Sequence, residues 1–337
     1  MTGARGHRRP GAAVTAALLC AVTAAGLHGC SDPGPSEPTP TPTPPPASRP
    51  APTSPLPAGV SPLTGLPARS GPVLAVKIDN VPPARPHTGL TDADLVYVEQ
   101  VESGQTRLMA VYASKLPDRV GPVRSARESD LALLRQFGRP VLAYSGAQSA
   151  LTPLLEAAPL HLVTESGDPG AFLRDPRRAA PHNLYLRPDR ALAAAPDATH
   201  AKDIGFRFGP APADGTPVNS RTVRFPAVRY TFAWAPAEHA WRVTMDGRSD
   251  GPLKPATVVV QQVTVKPSRF RDFTGAVSPY TVTTGSGTAQ VLRDGKAYEA
   301  RWNRPDANAG TTYTTPAGAP LNFAPGQVWV LLTGTGT

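Results

Sequence analysis

Two textures of apolar patterning divide the chain. From Ser61 to Phe208 the apolar runs are short and uninterrupted: Val73 to Ile78, Leu95 to Val98, Leu108 to Ala113, Val141 to Tyr144 and Leu160 to Val163. Runs of this length with no polar alternation predict strands buried on both faces. Between them, Ser125 to Phe137 has helical spacing, with Leu131, Leu134 and Phe137, joined by Leu133, marking one apolar face. Ser125 and Glu128 read as a Ser-x-x-Glu capping box, and Gly138 as the stop. A shorter helix is predicted from Thr152-Pro153, where proline occupies the first helical position. After Phe208 the pattern changes. Gly209 to Asn219 is rich in Pro, Gly and Ala and reads as a connection. Beyond it come strand-like segments: Tyr230 to Trp234, Trp241 to Met245, Thr257 to Val265, Thr288 to Leu292, Ala297 to Trp302 and Val328 to Leu332. Asp294-Gly295 between two of them is a hairpin signal.

The pattern therefore predicts an α+β protein. An N-terminal mixed α/β domain spans residues 61–208, and a smaller, mainly β domain spans 220–337. The 277 residues from Ser61 onward suffice for one large domain or two smaller ones.

What precedes Ser61 is of a different kind. Arg5, Arg8 and Arg9 form a basic head, Gly11 to Leu27 is apolar, and Leu27-His28-Gly29-Cys30 is followed by polar Ser31 and Asp32. This is the export-signal order, and the apolar stretch is shorter than the roughly 20 residues a membrane-spanning helix needs. A leucine, a tolerated residue and a glycine before cysteine form a lipobox, so residues 1–29 are expected to be cleaved and Cys30 lipidated. The only other cysteine, Cys20, lies within the signal. The mature chain then has no disulfide and no cysteine-based metal site or nucleophile. Two acyl chains give stable anchoring on the outer face of the cell membrane. Ser31 to Val60 carries twelve prolines in thirty residues, with Thr-Pro alternation at 39–44. Such a segment is expected to be a disordered linker, a stalk or a simple tether, reaching at most roughly 90 Å at about 3.1 Å per residue.

Charge narrows the partners. Arg5, Arg8 and Arg9 account for three of the formal +9, which leaves +6 on the mature chain. The basic residues are scattered, with no run or aromatic interleaving of the kind nucleic-acid binders show. A modestly basic surface beside anionic lipid and wall polymer fits better.

Candidate chemistry gathers around Gly121 to Arg127. If Ser125 caps the helix, Arg124 and Arg127 flank a helix end that already carries about half a positive charge. They then require an acidic partner. That partner is either a bound phosphate or carboxylate, or an internal acid, with Glu99, Glu102 and Asp130 as suppliers. Polar residues also follow the apolar runs: Asp79-Asn80, Glu99 and Ser145-Gly146. They share one rim if those strands run parallel, where open α/β sheets bind ligands; as turn residues they need no function. No histidine pair has metal-motif spacing, and neither a metal nor a cofactor is expected. His161, between leucines, reads as a core histidine. His87 and His182 lie in predicted loops, where either could act as a base near Asp79 or Glu99. Serine nucleophile signals are weak: Ser145-Gly146 lacks the flanking glycines of a nucleophile elbow.

Several ordered stretches resemble the YerB-like lipoproteins, a two-part family of unestablished activity. They are Pro62 to Leu66, Ala75 to Asn80 with Ala84-Arg85-Pro86, Gly89-Leu90, Ala93 to Tyr97, and Val101-Glu102 with Gly104 and Thr106-Arg107. Gly121 to Arg127 and Pro181 to Tyr185 follow, then Gly285-Ser286-Gly287, Asp294-Gly295-Lys296 and Pro325 to Trp329. That pattern usually has glutamine where this chain has His87, which argues against a catalytic His87, and glycine where it has Ser103. The resemblance implies an α/β first part, a β-rich second part and a lipid anchor; it implies no substrate. The expected function is a non-enzymatic envelope module that binds an anionic component or a protein partner through Arg107, Arg124, Arg127 and Asn183. The alternative is an enzyme acting on wall or lipid-linked glycan, with Asp79 or Glu102 as acid/base and His182 assisting.

Overall fold

A computed structural model of the chain describes residues 59–272 and 274–334. The signal segment, Cys30 and nearly all of the Pro-rich linker lie outside the described residues.

The uninterrupted apolar runs become strands at the centre of a mixed sheet. Leu74–Asp79 and Thr106–Tyr112 are buried at every position, and Leu95–Gln100 at all but its last. Both faces of these strands are covered, so no position needs to be polar for solvent. The sheet has eleven strands. Across it run Thr312–Thr314, Lys296–Arg304, Gly285–Arg293, Thr257–Val263, Val328–Gly334, Leu95–Gln100, Thr106–Tyr112, Leu74–Asp79, Val141–Ala143 and His161–Val163; Thr216–Pro217 adds to Lys296–Arg304 off this path.

In this order, strands of the two expected domains lie in one sheet. The last strand, Val328–Gly334, lies parallel to Thr257–Val263 on one side and parallel to Leu95–Gln100 on the other. The change of texture at 209–219 is real, but the strands on either side of it belong to one sheet. Periodicity reports which residues are buried, and carries no information on which strand is the hydrogen-bonded neighbour.

A second, four-stranded sheet covers one face. It comprises Ser220–Arg224, Arg229–Ala235, Ala240–Met245 and Arg248–Ser249. Tyr230 and Phe232 meet the edge of Trp329 with ring centroids 6.4 and 6.0 Å apart. The opposite face takes the helix Glu128–Leu134 through Leu133 and Leu134 and the turn Arg135–Phe137 after it through Phe137, together with Leu151 and Leu155.

That helix begins three residues later than predicted, and Ser125 is not its cap. The backbone leading into it is tied down in extended form: Arg124 N–H donates to the Lys77 carbonyl at 2.8 Å and Ala126 N–H to the Gly146 carbonyl at 3.0 Å. Turning into a helix waits until Arg127, whose N–H is capped by the Asp130 carboxylate at 2.7 Å. Glu128, the expected box partner, instead accepts from the Ser268 hydroxyl. The second helix is Thr152–Ala157, with Thr152 already its first residue. Asp294-Gly295 forms the expected hairpin turn, both residues at positive φ of 51° and 69°.

Candidate functional site

Strand direction brings the predicted rim together. Leu74–Asp79 is parallel to Val141–Ala143 and antiparallel to Thr106–Tyr112, which is itself antiparallel to Leu95–Gln100. The carboxyl ends of three strands and the start of a fourth therefore share one edge. Register then places Arg107 between Asp79 on one neighbour and Glu99 on the other. Residues two apart on a strand share a face, so Lys77 and Asp79 look the same way as Arg107 and Glu99.

Lys77 organises the buried layer, and as a functional residue the sequence reading missed it. Its ammonium donates to Glu99 at 2.6 Å and to Asp130 at 2.5 Å, all three side chains being shielded from water. Burial acts to lower the Lys77 pKa, but the two carboxylates outweigh it and the net shift is upward. Burial pushes Glu99 up to about 7, against the opposing pull of Lys77. The other Glu99 oxygen, Oε1, has no hydrogen-bond partner among the described residues. The sequence signal was a single charge inside an otherwise apolar strand.

Above that layer sit the arginines. Arg127 forms a forked pair with Glu102, both contacts 2.7 Å, and Glu102 also accepts from the Ser278 hydroxyl. Burial acts to raise the Glu102 pKa, yet the Arg127 hydrogen bonds and charge bring it below the usual carboxylate range. Glu102 thus answers Arg127 internally and is poorly placed as a proton donor. Arg124 reaches the Asp79 carboxylate at 3.3 Å through Nε, and that buried nitrogen has no hydrogen bond among the described residues. Asp79 holds the His182 ring as well, Oδ2 to Nδ1 at 2.8 Å.

Arg107 is the exception. It is 8% exposed, and its hydrogen bond among the described residues goes from Nη1 to the Ser125 carbonyl at 3.0 Å. No carboxylate oxygen of the described residues lies within ion-pair distance of it. Burial, followed by the repulsion of Arg127 and Arg124, brings its pKa down to about 9 despite Asp79 nearby. With every carboxylate ionised the cluster balances: Lys77, Arg107, Arg124 and Arg127 against Asp79, Glu99, Glu102 and Asp130. Burial disfavours the charged form of Glu99, and the guanidinium without a carboxylate partner among the described residues is that of Arg107.

Other candidates fall elsewhere. Asn183 follows His182 in sequence, but its side chain accepts from Arg174, itself paired with Glu165, so it is not joined to the arginine cluster. His87 faces acceptors at both ring nitrogens, the Asp250 carboxylate and the Asp79 carbonyl, so it is not a free base. A network the sequence did not reveal joins the two sheets: Asn80 donates to Thr106 and to the Tyr230 hydroxyl, and Arg85 bridges Asn80 to Asp246. No group of three or more His, Cys, Asp or Glu residues able to hold a metal occurs among the described residues.

Comparison with known proteins adds the following. Residues 63–202 match the family model described as "Protein of unknown function (DUF3048) N-terminal domain", and residues 221–330 match its C-terminal counterpart. A Bacillus subtilis (strain 168) protein named "Putative lipoprotein YerB" is 36% identical over 123 residues, 36% of this chain and 37% of that protein's length. A solved crystal structure of the YerB protein from Bacillus subtilis superposes with a TM-score of 0.70 at 22% identity, covering 81% of this chain and 96% of that one. That likeness establishes the fold alone.

Proposed function

The chain belongs to the DUF3048 family, and from that premise we propose that it is a lipid-anchored protein of the cell envelope whose rim site binds an anionic group. The anchor is supported by the lipobox ending in Cys30 and by the name of the relative, "Putative lipoprotein YerB". No helix among the described residues is long and apolar enough to cross a membrane. Replacing Cys30 by Ala is expected to move the protein from the detergent phase to the aqueous phase and to remove the mass of the acyl chains. Unchanged partitioning would refute the anchor.

The single observation that carries the anion reading is Arg107, a nearly buried guanidinium matched by one carbonyl. A buried charge without a counter-charge is costly, and a phosphate or carboxylate beside Arg107 and Arg124 supplies both charge and hydrogen-bond acceptors. The test is a melting-temperature screen of the full-length chain in detergent against phosphorylated and acidic wall fragments. At least one class should raise the melting temperature, and Arg107→Gln should abolish the rise. A screen in which no fragment shifts the wild-type melt counts against the site.

One contact favours a second reading. The Asp79 carboxylate orients His182 as a carboxylate orients a histidine general base, and His182 is about one-fifth exposed. Turnover of purified wall material that disappears in Asp79→Asn and His182→Ala would establish it; turnover unaffected by both would dismiss it.

A further inference from the structure

Beside the arginine cluster lies a cavity of about 380 Å³ that the charge argument leaves unexplained. Ser125, Gln148, Ser149, Leu151, Phe270 and Asp272 are among its lining residues. Its volume is at the lower end of the roughly 300–1,000 Å³ typical of small-ligand sites. Leu151 and Phe270 give it an apolar floor. Ser149 and Asp272 give it polar walls, and the Asp272 Oδ1 atom is already used by Thr274 and Ala276. Gln148 adds an amide whose oxygen is shut off from solvent and has no hydrogen-bond partner among the described residues. An amide oxygen without a donor at the cavity wall calls for one, which the described residues do not provide.

The cavity and the arginines are joined through Ser125. Its carbonyl takes the hydrogen bond of Arg107, and the same residue forms part of the cavity wall. Arg127 and Ser278, both bound to Glu102, also line it, as do the charged residues Arg271 and Glu128. A ligand filling the cavity is therefore separated by Ser125 from Arg107, the guanidinium of the cluster that has no carboxylate partner among the described residues. Hydroxyls that both donate and accept, an apolar ring face and an attached anionic group together describe one chemical class.

We infer that the ligand of this site is an anionic saccharide, with a sugar ring in the cavity and its phosphate or carboxylate against Arg107 and Arg124. The inference rests on the anion reading above and adds to it the identity of the neutral part. Gln148 recognises a ring hydroxyl, Phe270 and Leu151 cover a C–H face, and Arg107 takes the charge.

Calorimetric titration of the full-length chain in detergent separates the two claims. The probes are inorganic phosphate, glucose, glucose 1-phosphate and glucuronate. The charged sugars are expected to bind at least about tenfold tighter than phosphate or glucose alone, the order of one or two added hydrogen bonds. Gln148→Ala should reduce charged-sugar affinity by about tenfold and leave phosphate binding as it was. Ser149→Tyr, which fills the cavity from an exposed position, is a second variant with the same expectation. Arg107→Gln should weaken phosphate and charged sugars together. If phosphate binds but charged sugars bind no tighter, the saccharide inference is overturned while the anion site stands. Glucose binding as tightly as glucose 1-phosphate, insensitive to Arg107→Gln, overturns the link between cavity and charge. Absence of binding by phosphate and by both charged sugars removes the anion site and this inference with it. Melting curves of each variant establish that it is folded before its affinity is read.

Discussion

Arg107 and Arg127 are two residues of one type, 20 positions apart, with opposite fates. Arg127 is answered by a forked carboxylate pair, so Arg127→Gln should mainly cost stability, about 1–3 kcal/mol, by stranding Glu102. Arg107→Gln strands no carboxylate, and should mainly cost ligand affinity. Equilibrium unfolding in denaturant beside a binding titration separates them; equal loss of stability in both would show that Arg107 is also paired. Lys77 is the structural extreme. Lys77→Met leaves Glu99 and Asp130 facing each other without a cation, and a loss of about 3–5 kcal/mol is expected in denaturant unfolding.

Glu99 makes stability depend on pH in a definite direction. Its folded pKa, about 7, stands above the ordinary 4.5. The folded state therefore binds a proton that the unfolded chain has released, and the associated stability is present in full below about 4.5. It is lost as pH rises through about 7. Melting temperature should fall across that window, and Glu99→Gln should flatten the fall; an identical slope in the variant would assign it to other groups. Anion binding should weaken over the same rise, because an ionised Glu99 cancels the excess positive charge.

At the scale of elements, most of the strand pattern was legible. The uninterrupted runs near Val73, Leu95, Leu108 and Val141 all became strands, because burial on both faces writes itself directly into composition. The Asp294-Gly295 turn was legible because only a few residue pairs tolerate positive φ at both central positions. A Cβ on Gly295 would come within 2.8 Å of the Trp234 ring. Gly295→Ala should therefore destabilise by about 1–3 kcal/mol through strain and crowding, read as a lower denaturation midpoint; a neutral result would mean that the hairpin relaxes freely. The helix start was misread because Ser125 has the right side chain but the wrong backbone. Its neighbours are hydrogen-bonded to Lys77 and Gly146, which local sequence does not disclose. The exposed hairpin Val265–Arg271 with Val277–Thr281 was missed for a related reason: with one covered face and many polar residues it carries little apolar signal.

At the scale of the whole molecule, partnership between strands was the part sequence could not show. Asp79, Arg107, Arg124 and His182 each stand out in the sequence, and the rim was conditional on strand direction; the antiparallel strand starting at Thr106 places Arg107 on it. The C-terminal strand Val328–Gly334, buried at every position between strands from the two halves, makes the halves interdependent. The described residues fall within one compact unit. Tryptophan fluorescence and far-ultraviolet circular dichroism should therefore report one coincident unfolding transition. Two separated transitions would mean that the halves hold together independently.

The most direct measurement is calorimetric titration of the full-length chain with inorganic phosphate near pH 6, alongside Arg107→Gln. Saturable one-site binding to the wild-type chain that is lost in the folded variant is the predicted result. Binding of equal strength in both proteins, or no binding to the wild-type chain, would contradict an anion site built on Arg107.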